Sequence, residues 1–238
     1  MVNKLDEIKI KIAAIEVLRA LKESYSYQEL SEKTGLPIPV LSRYINGHVL
    51  PGLNRSELIL NKFGFEHVSS MIQKRIKIID EKNKVLNITE ATTDSIILRL
   101  ASQIVFSNHK TQRIDKIVTK ETMGIPFATM VAHAFGAKLV VARSRKELGV
   151  ERFIEVRRIF SDGTYAYLYV PRHLLKKREN VLLVDDAIRT GSTMKALAEI
   201  CKVAGVNSLG AYSLVSIGNI TETLSKELMF PVVSFYSI

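Results

Sequence analysis

Residues 181–193 read Val-Leu-Leu-Val-Asp-Asp-Ala-Ile-Arg-Thr-Gly-Ser-Thr, an order that few folds accommodate. Val181–Val184 are apolar without alternation, which suits a strand buried on both faces and hence a parallel sheet covered by helices on each side. Asp185 and Asp186 then stand at the carboxyl edge of that sheet, where open α/β folds bind ligands. Gly191 lets the backbone approach a bound group. Thr190, Ser192 and Thr193 bring hydroxyls, and the free N–H groups of the helix starting there favour a phosphate. A carboxylate pair and an anion cradle thus lie one loop apart, a layout that a ribose 5-phosphate matches.

The flanking sequence agrees with an α/β fold. From Val85 onward, short apolar strands at 85–88, 114–118, 139–142, 165–170, 181–184, 209–215 and 232–236 alternate with helical stretches at 95–106, 126–135 and 194–204. Asp162-Gly163 between apolar runs marks a hairpin turn. Ahead of these, Ile8, Ile12, Ile15, Leu18 and Leu21 recur at helical spacing, and further helices are expected at 27–34, 37–46 and 55–63. The predicted division is a helical domain over 1–65, a linker over 66–84 ending in Asp80-Glu81-Lys82-Asn83-Lys84, and an α/β domain over 85–238.

Two rival readings of an apolar strand followed by paired acids fail. A Walker B strand needs a Gly-x-x-x-x-Gly-Lys-[Ser/Thr] partner, which the chain lacks. A receiver domain needs a later phosphoacceptor Asp, and no Asp follows Asp186. The single cysteine, Cys201, excludes an internal disulfide framework and a cysteine-based zinc site. Charges scattered through the first residues argue against a signal peptide, and no run approaches the ~20 apolar residues of a membrane helix. A soluble, cytoplasmic protein with no membrane partner is expected. The net charge of +10 points to an anionic partner. The excess is concentrated: residues 138–178 hold 11 Lys/Arg against four acids, whereas residues 1–90 hold 14 against 11.

The stretch 181–193 resembles the signature of type I phosphoribosyltransferases, which bind 5-phosphoribosyl-1-pyrophosphate (PRPP), and the resemblance extends over residues 85–238. It implies the type I phosphoribosyltransferase fold, a mostly parallel sheet flanked by helices with a hood over the ligand. It further implies that Asp185 and Asp186 hold the ribose hydroxyls and the water shell of a Mg2+ ion that arrives with PRPP, with no direct protein ligand to the metal. Ala187, Ile188, Arg189, Thr190, Gly191, Ser192 and Thr193 would wrap the 5-phosphate. The strand at 114–118 and the following Thr119-Lys120-Glu121-Thr122-Met123-Gly124-Ile125-Pro126 resemble the family's pyrophosphate loop, giving Lys120, Glu121, Thr122, Met123 and Gly124 as contacts. Arg143, Arg145 and Lys146, after the strand at 139–142, are further candidates, because a departing pyrophosphate needs cations around it. The hood falls between Lys146 and Val170, and the nucleobase pocket is assigned to the hood and to the tail around Ser234-Phe235-Tyr236. Relatives acting on 6-oxopurines carry an acid just before Thr-Gly. Here that position is Arg189, which accepts no proton at neutral pH. That argues against hypoxanthine–guanine chemistry of this kind and leaves an adenine-type or a non-catalytic site open.

Residues 27–46 resemble a helix-turn-helix, with Gly35 at the turn, Leu30, Leu36, Leu41 and Tyr44 or Ile45 as the packed positions, and Pro37 or Pro39 at the start of the second helix. Such an N-terminal all-α domain would turn Ile38, Ser42, Arg43 and Asn46, with Asn54 and Arg55 beyond, toward DNA. The combination resembles bacterial purine repressors and archaeal regulators of this class. It implies a homodimeric, DNA-binding transcription regulator that senses PRPP or a nucleotide. The alternative is an active nucleobase phosphoribosyltransferase of nucleotide salvage with an appended helical domain. Nucleic-acid contact by the basic segment 138–178 is a third and weaker reading.

Overall fold

The structure, a computed structural model, describes residues 3–80, 85–160 and 162–238. In chain order the elements are α1 (Lys4–Ser24), α2 (Tyr27–Thr34), α3 (Ile38–Ile45), α4 (Leu53–Leu58), a π-helical turn (Ile59–Gly64), α5 (Phe65–Arg75), β1 (Lys77–Asp80), β2 (Val85–Asn87), α6 (Thr89–Thr93), α7 (Ser95–Asn108), β3 (Lys116–Lys120), α8 (Gly124–Phe135), β4 (Lys138–Ala142), β5 (Phe153–Ile159), β6 (Tyr165–Pro171), β7 (Asn180–Ile188), α9 (Ser192–Ala204), β8 (Asn207–Ser216), α10 (Ile220–Leu228) and β9 (Val232–Ser237). Local chemistry fixes several of the ends. Ser26 and Glu29 form a reciprocal capping box on α2, and the Asp94 carboxylate caps α7 by accepting from the Ile96 and Ile97 N–H groups.

Five strands form the central sheet in the order β4-β3-β7-β8-β9, and every neighbouring pair is parallel. Strand β7 lies in the middle, and Val181–Val184 are fully buried on it, as an unbroken apolar run requires. One face of the sheet is covered by α7, α8 and the N-terminal helices. Leu18, Leu21, Leu30 and Leu41 share a core there with Phe127, Val184, Tyr212 and Phe235. The other face is covered by α9 and by the antiparallel ribbon β5–β6, which occupies the segment expected for the hood. Ile154, Val156, Leu168 and Val170 of the ribbon pack in one cluster with Leu197 and Ile200 of α9.

The linker expected over 66–84 is instead ordered structure through residue 80. From α4 the helix continues through the π turn into α5 without a break, ending at Arg75. Val68 and Ile72 are buried, Phe65 stacks on Phe235 with ring centroids 5.1 Å apart, and Arg75 meets Asp94 at 2.7 Å. The reason for the misreading is physical. A π turn spends an extra residue, so the apolar positions on either side of it do not fit a single 3.6-residue period. Glu81–Lys84, the polar end of the expected linker, lie outside the described residues.

Cys201 is buried on α9, and that burial pushes its thiol up to about 12. The folded protein is therefore expected to resist thiol alkylation at about pH 8, with labelling that tracks unfolding, because the thiolate is the reactive form. Stoichiometric labelling of the native protein within minutes would contradict this. No helix of the described residues is long and apolar enough to cross a membrane.

Candidate active site

The site is created by two strands that part. Strand β3 pairs with β7 only from Lys116↔Val181 to Val118↔Leu183. Beyond that point β3 stays with β4 as far as Lys120↔Ala142, and β7 stays with β8 as far as Ile188↔Ser216. A cleft therefore opens at the carboxyl edge of the sheet, between the loop after β3 and the end of β7. It holds a cavity of about 290 Å3 lined by Lys120–Met123 on one side and by Asp185–Ala187, Arg189, Thr190 and Ser192 on the other, with Arg158 of the hood reaching in. A larger hollow of about 540 Å3 lies along the outside of α9, between Lys195, Lys202 and Met229. None of the residues 181–193 lines it.

Asp185 is 5% exposed, and the contact that buries it involves the first residue of α8. A Cβ built on Gly124 would lie 2.6 Å from Asp185 Oδ1 and 2.6 Å from Thr119 Oγ1. Only glycine lets the α8 N-terminus close on that carboxylate. The Asp186 N–H donates to Asp185 Oδ1 at 3.0 Å. Burial, and then the neighbouring Asp186 carboxylate, hold Asp185 well above the usual carboxylate range, with Lys120 acting in the opposite sense. The pair is thus unequal. Asp185 is buried with its Oδ1 on the Asp186 N–H, whereas Asp186 is half-buried and lines the cavity wall.

The loop after β3 is braced from within. Lys120 Nζ donates to the Glu121 carbonyl at 2.6 Å. Glu121 Oε1 accepts from the Ser144 N–H at 2.7 Å, and this bond draws the Glu121 carboxyl below its ordinary range. The Glu121–Thr122 peptide is cis. On the opposite wall Gly191 has φ +78° and is buried beneath Leu224, whose Cδ2 would be 2.8 Å from an added Cβ. Thr190 Oγ1 donates to Ser192 Oγ at 3.3 Å. Ile188 and Gly191 are buried behind the cavity, and Thr193 is half-buried beside them without lining it.

Arg143, Arg145 and Lys146 do not line the cavity. Arg143 pairs through its backbone with Tyr169 of the hood, and its side chain is 3.9 Å from Glu147. Lys146 pairs with Glu155 and lies over the Phe153 and Tyr169 rings at 5.9 and 5.3 Å. Arg145 is exposed. The hood instead contributes Arg158, whose signal was present in the sequence: Ile154, Val156 and Arg158 alternate along one strand face, so the arginine occupies the next inward position after two core residues. The C-terminal tail does not contribute. Phe235 is in the core and Ser234 Oγ donates to the Tyr236 carbonyl.

Residues 87–228, more than half of the chain, match the family described as phosphoribosyl transferase domain. The chain belongs to that family. This phosphoribosyltransferase-family chain is 26% identical over 146 residues to an adenine phosphoribosyltransferase of Methylacidiphilum infernorum, covering 61% of the chain and 78% of that protein. It is 33% identical over 122 residues to a hypoxanthine/guanine phosphoribosyltransferase of Methanobrevibacter ruminantium, covering 51% of the chain and 63% of that protein, just under two thirds of its length. The crystal structure of adenine phosphoribosyltransferase from Rhodothermus marinus matches with a TM-score of 0.62 at 21% identity, over 72% of this chain and 98% of that one. That likeness shows the type I phosphoribosyltransferase fold with its parallel sheet.

These relatives overturn the expectation of a DNA-binding transcription regulator, since the proteins matched are named as nucleobase phosphoribosyltransferases. Within the short helices, the side chains expected to reach DNA are partly engaged with one another. Arg55 Nη1 donates to the Tyr44 hydroxyl at 2.7 Å, and Asn46 Nδ2 donates to Ser42 Oγ at 3.3 Å. Ile38 and Arg43 are exposed, while Leu41, Tyr44 and Ile45 are buried against the core. The apolar spacing that resembled a recognition helix packs α3 onto α1 and α2 through Leu41, Tyr44 and Ile45.

Proposed function

We propose that the chain is a nucleobase phosphoribosyltransferase that joins a purine-type base to the ribose of PRPP and releases pyrophosphate. The supporting observation is the single cavity in which the Asp185–Asp186 pair, the Thr190–Ser192 turn and the Lys120–Met123 loop meet. In this reading the acids hold the ribose hydroxyls and the Thr190–Thr193 turn at the start of α9 holds the 5-phosphate. Lys120 and the N–H groups leading into α8 face the pyrophosphate, whose developing charge they stabilise. Arg189 lines the same cavity and cannot take a proton from the base. Adenine is therefore placed ahead of the 6-oxopurines among the substrates.

Mg2+ fits this site. It takes one or two carboxylates and keeps water and substrate oxygens for its remaining positions. Asp185 and Asp186 offer oxygens that would hold the water shell of such an ion, and among the described residues no group of three or more His, Cys, Asp or Glu makes a closed cage. Arriving with PRPP, the ion would neutralise charge on the leaving group. A homodimer belongs to the same reading and is checked by sedimentation velocity.

The direct test is to incubate the protein with PRPP, Mg2+ and, separately, adenine, hypoxanthine, guanine and xanthine, and to measure pyrophosphate. Turnover with at least one purine is expected, adenine foremost, and it should vanish in Asp185→Asn/Asp186→Asn. Silence with every base would end the transferase reading.

A further inference from the structure

Arg158 occupies a place that electrostatics disfavours for an arginine unless an anion joins it. The strand β5 sets Ile154 and Val156 into the core under α9, and the next inward residue is Arg158. Its Nε donates to Ser192 Oγ at 3.1 Å, and its guanidinium lies over the Phe160 ring at 4.7 Å. Ser192 is the first residue of the 13-residue helix α9, whose first turn contains no acid. A helix begins with a partial positive charge, so the guanidinium faces a pole of its own sign. Thr190 Oγ1 donates to the same Ser192 oxygen, which leaves the Ser192 proton free to point into the cavity. Burial draws Arg158 below the ordinary guanidinium range, and the Asp185 carboxylate opposes this from across the cavity.

We propose that Arg158 is a binding residue for the 5-phosphate of the ribosyl ligand, carried to the phosphate turn by the hood; this rests on the transferase reading above. The Thr190–Thr193 turn offers only hydroxyl and backbone donors, which are neutral. A phosphate in a half-enclosed site is held about twice as strongly by charge-assisted hydrogen bonds. Lys120 is on the other wall with its ammonium on the Glu121 carbonyl, and Arg189 is exposed to solvent. Arg158 is the cation already hydrogen-bonded to the turn. Its planar guanidinium can donate to Ser192 and to a phosphate oxygen together, which a lysine ammonium does less well. Because it stands on β5, phosphate binding would also fasten the hood ribbon over the sugar.

The test measures binding of ribose 5-phosphate, and separately of pyrophosphate with Mg2+, by calorimetry on the full chain and on Arg158→Ala and Arg158→Lys. The proposal expects Arg158→Ala to weaken ribose 5-phosphate about 10- to 100-fold, the range for a hydrogen bond to a charged group, with pyrophosphate affinity unchanged. Arg158→Lys should recover part of the loss, and melting temperature without ligand should not fall, since a cation is removed from a helix N-terminus. Unchanged ribose 5-phosphate affinity in Arg158→Ala would overturn the proposal, as would equal loss of both ligands or no binding by the unaltered protein. If ribose 5-phosphate binds in an Arg158-dependent way while no base yields pyrophosphate, the phosphate assignment stands and the transferase reading alone falls.

Discussion

Asp185→Asn is expected to make the ligand-free protein more stable and nearly inactive. Asp185 is buried beside a second carboxylate, and both effects hold its pKa above the usual range. The folded state therefore binds this proton more tightly than the unfolded chain, whose aspartates titrate near 3.9. Between about pH 4 and the raised folded value, the unfolded state ionises freely and the folded state does so only at a cost. Stability present in acid is accordingly lost as the pH rises through that window. Asparagine does not ionise, and its Oδ1 can still accept from the Asp186 N–H. The variant should match the parent near pH 4 and exceed it progressively above. The gain at neutral pH is about 1–3 kcal/mol, the cost of a polar group buried without full compensation, or roughly 3–10 °C in Tm for a chain of this size. Transfer from PRPP should fall by about 100- to 1000-fold, the usual loss when one preorganised electrostatic contact is removed. Melting curves at pH 4 and pH 7.5, with a pyrophosphate assay, check both halves. A variant that melts lower than the parent at neutral pH would show that Asp185 is held by attractions stronger than its burial and its neighbour.

How much of this site could be read beforehand divides along the range of the interactions. Val181–Thr193 was legible because everything it needs is local: an apolar strand, acids at its end, and hydroxyls around a glycine at a helix start. The loop at 120–124 was legible for the same reason. The cavity between them depends on β3 and β7 parting after Val118 and Leu183, a feature of pairing across more than 60 residues that no local window contains. Counting cations led to Arg143, Arg145 and Lys146, whereas the strand alternation 154, 156, 158 selects the arginine that enters the cleft. The linker reading failed because the π turn at Ile59–Gly64 puts the apolar residues of α5 out of phase with those of α4. The regulator reading failed differently. Leu30, Leu41 and Tyr44 are packed positions, as their spacing predicts, but packing two short helices is a requirement of the core and carries no information about DNA.

Gly124→Ala is expected to damage both stability and transfer, although it adds one methyl group. The new Cβ would lie 2.6 Å from Asp185 Oδ1 and Thr119 Oγ1, and 3.3 Å from the Asp185 Cα, which is backbone in the middle of a sheet. Neither oxygen is the end of a long flexible chain, so α8 must shift away from β7 and open the cleft it closes. Overpacking of this kind costs about 1–3 kcal/mol, a fall of roughly 3–10 °C in Tm. Displacing the carboxylate by a fraction of an ångström from the ribose hydroxyls should lower transfer about 100-fold. Gly52→Ala is the steric control, since a Cβ there meets nothing within 4 Å; as the N-cap of α4 it should lose no more than about 1 kcal/mol, with transfer unchanged. The double variant Gly124→Ala/Asp185→Ala separates a clash from a general intolerance of alanine at the start of α8. Shortening Asp185 removes its Oδ1, one of the two oxygens at 2.6 Å, while Thr119 Oγ1 remains, so the two changes should be non-additive, with the pair destabilised less than the sum. Additive losses would mean that Gly124 serves the backbone of the loop and not the approach to Asp185, and the account of how this carboxylate is held in the cleft would then be wrong.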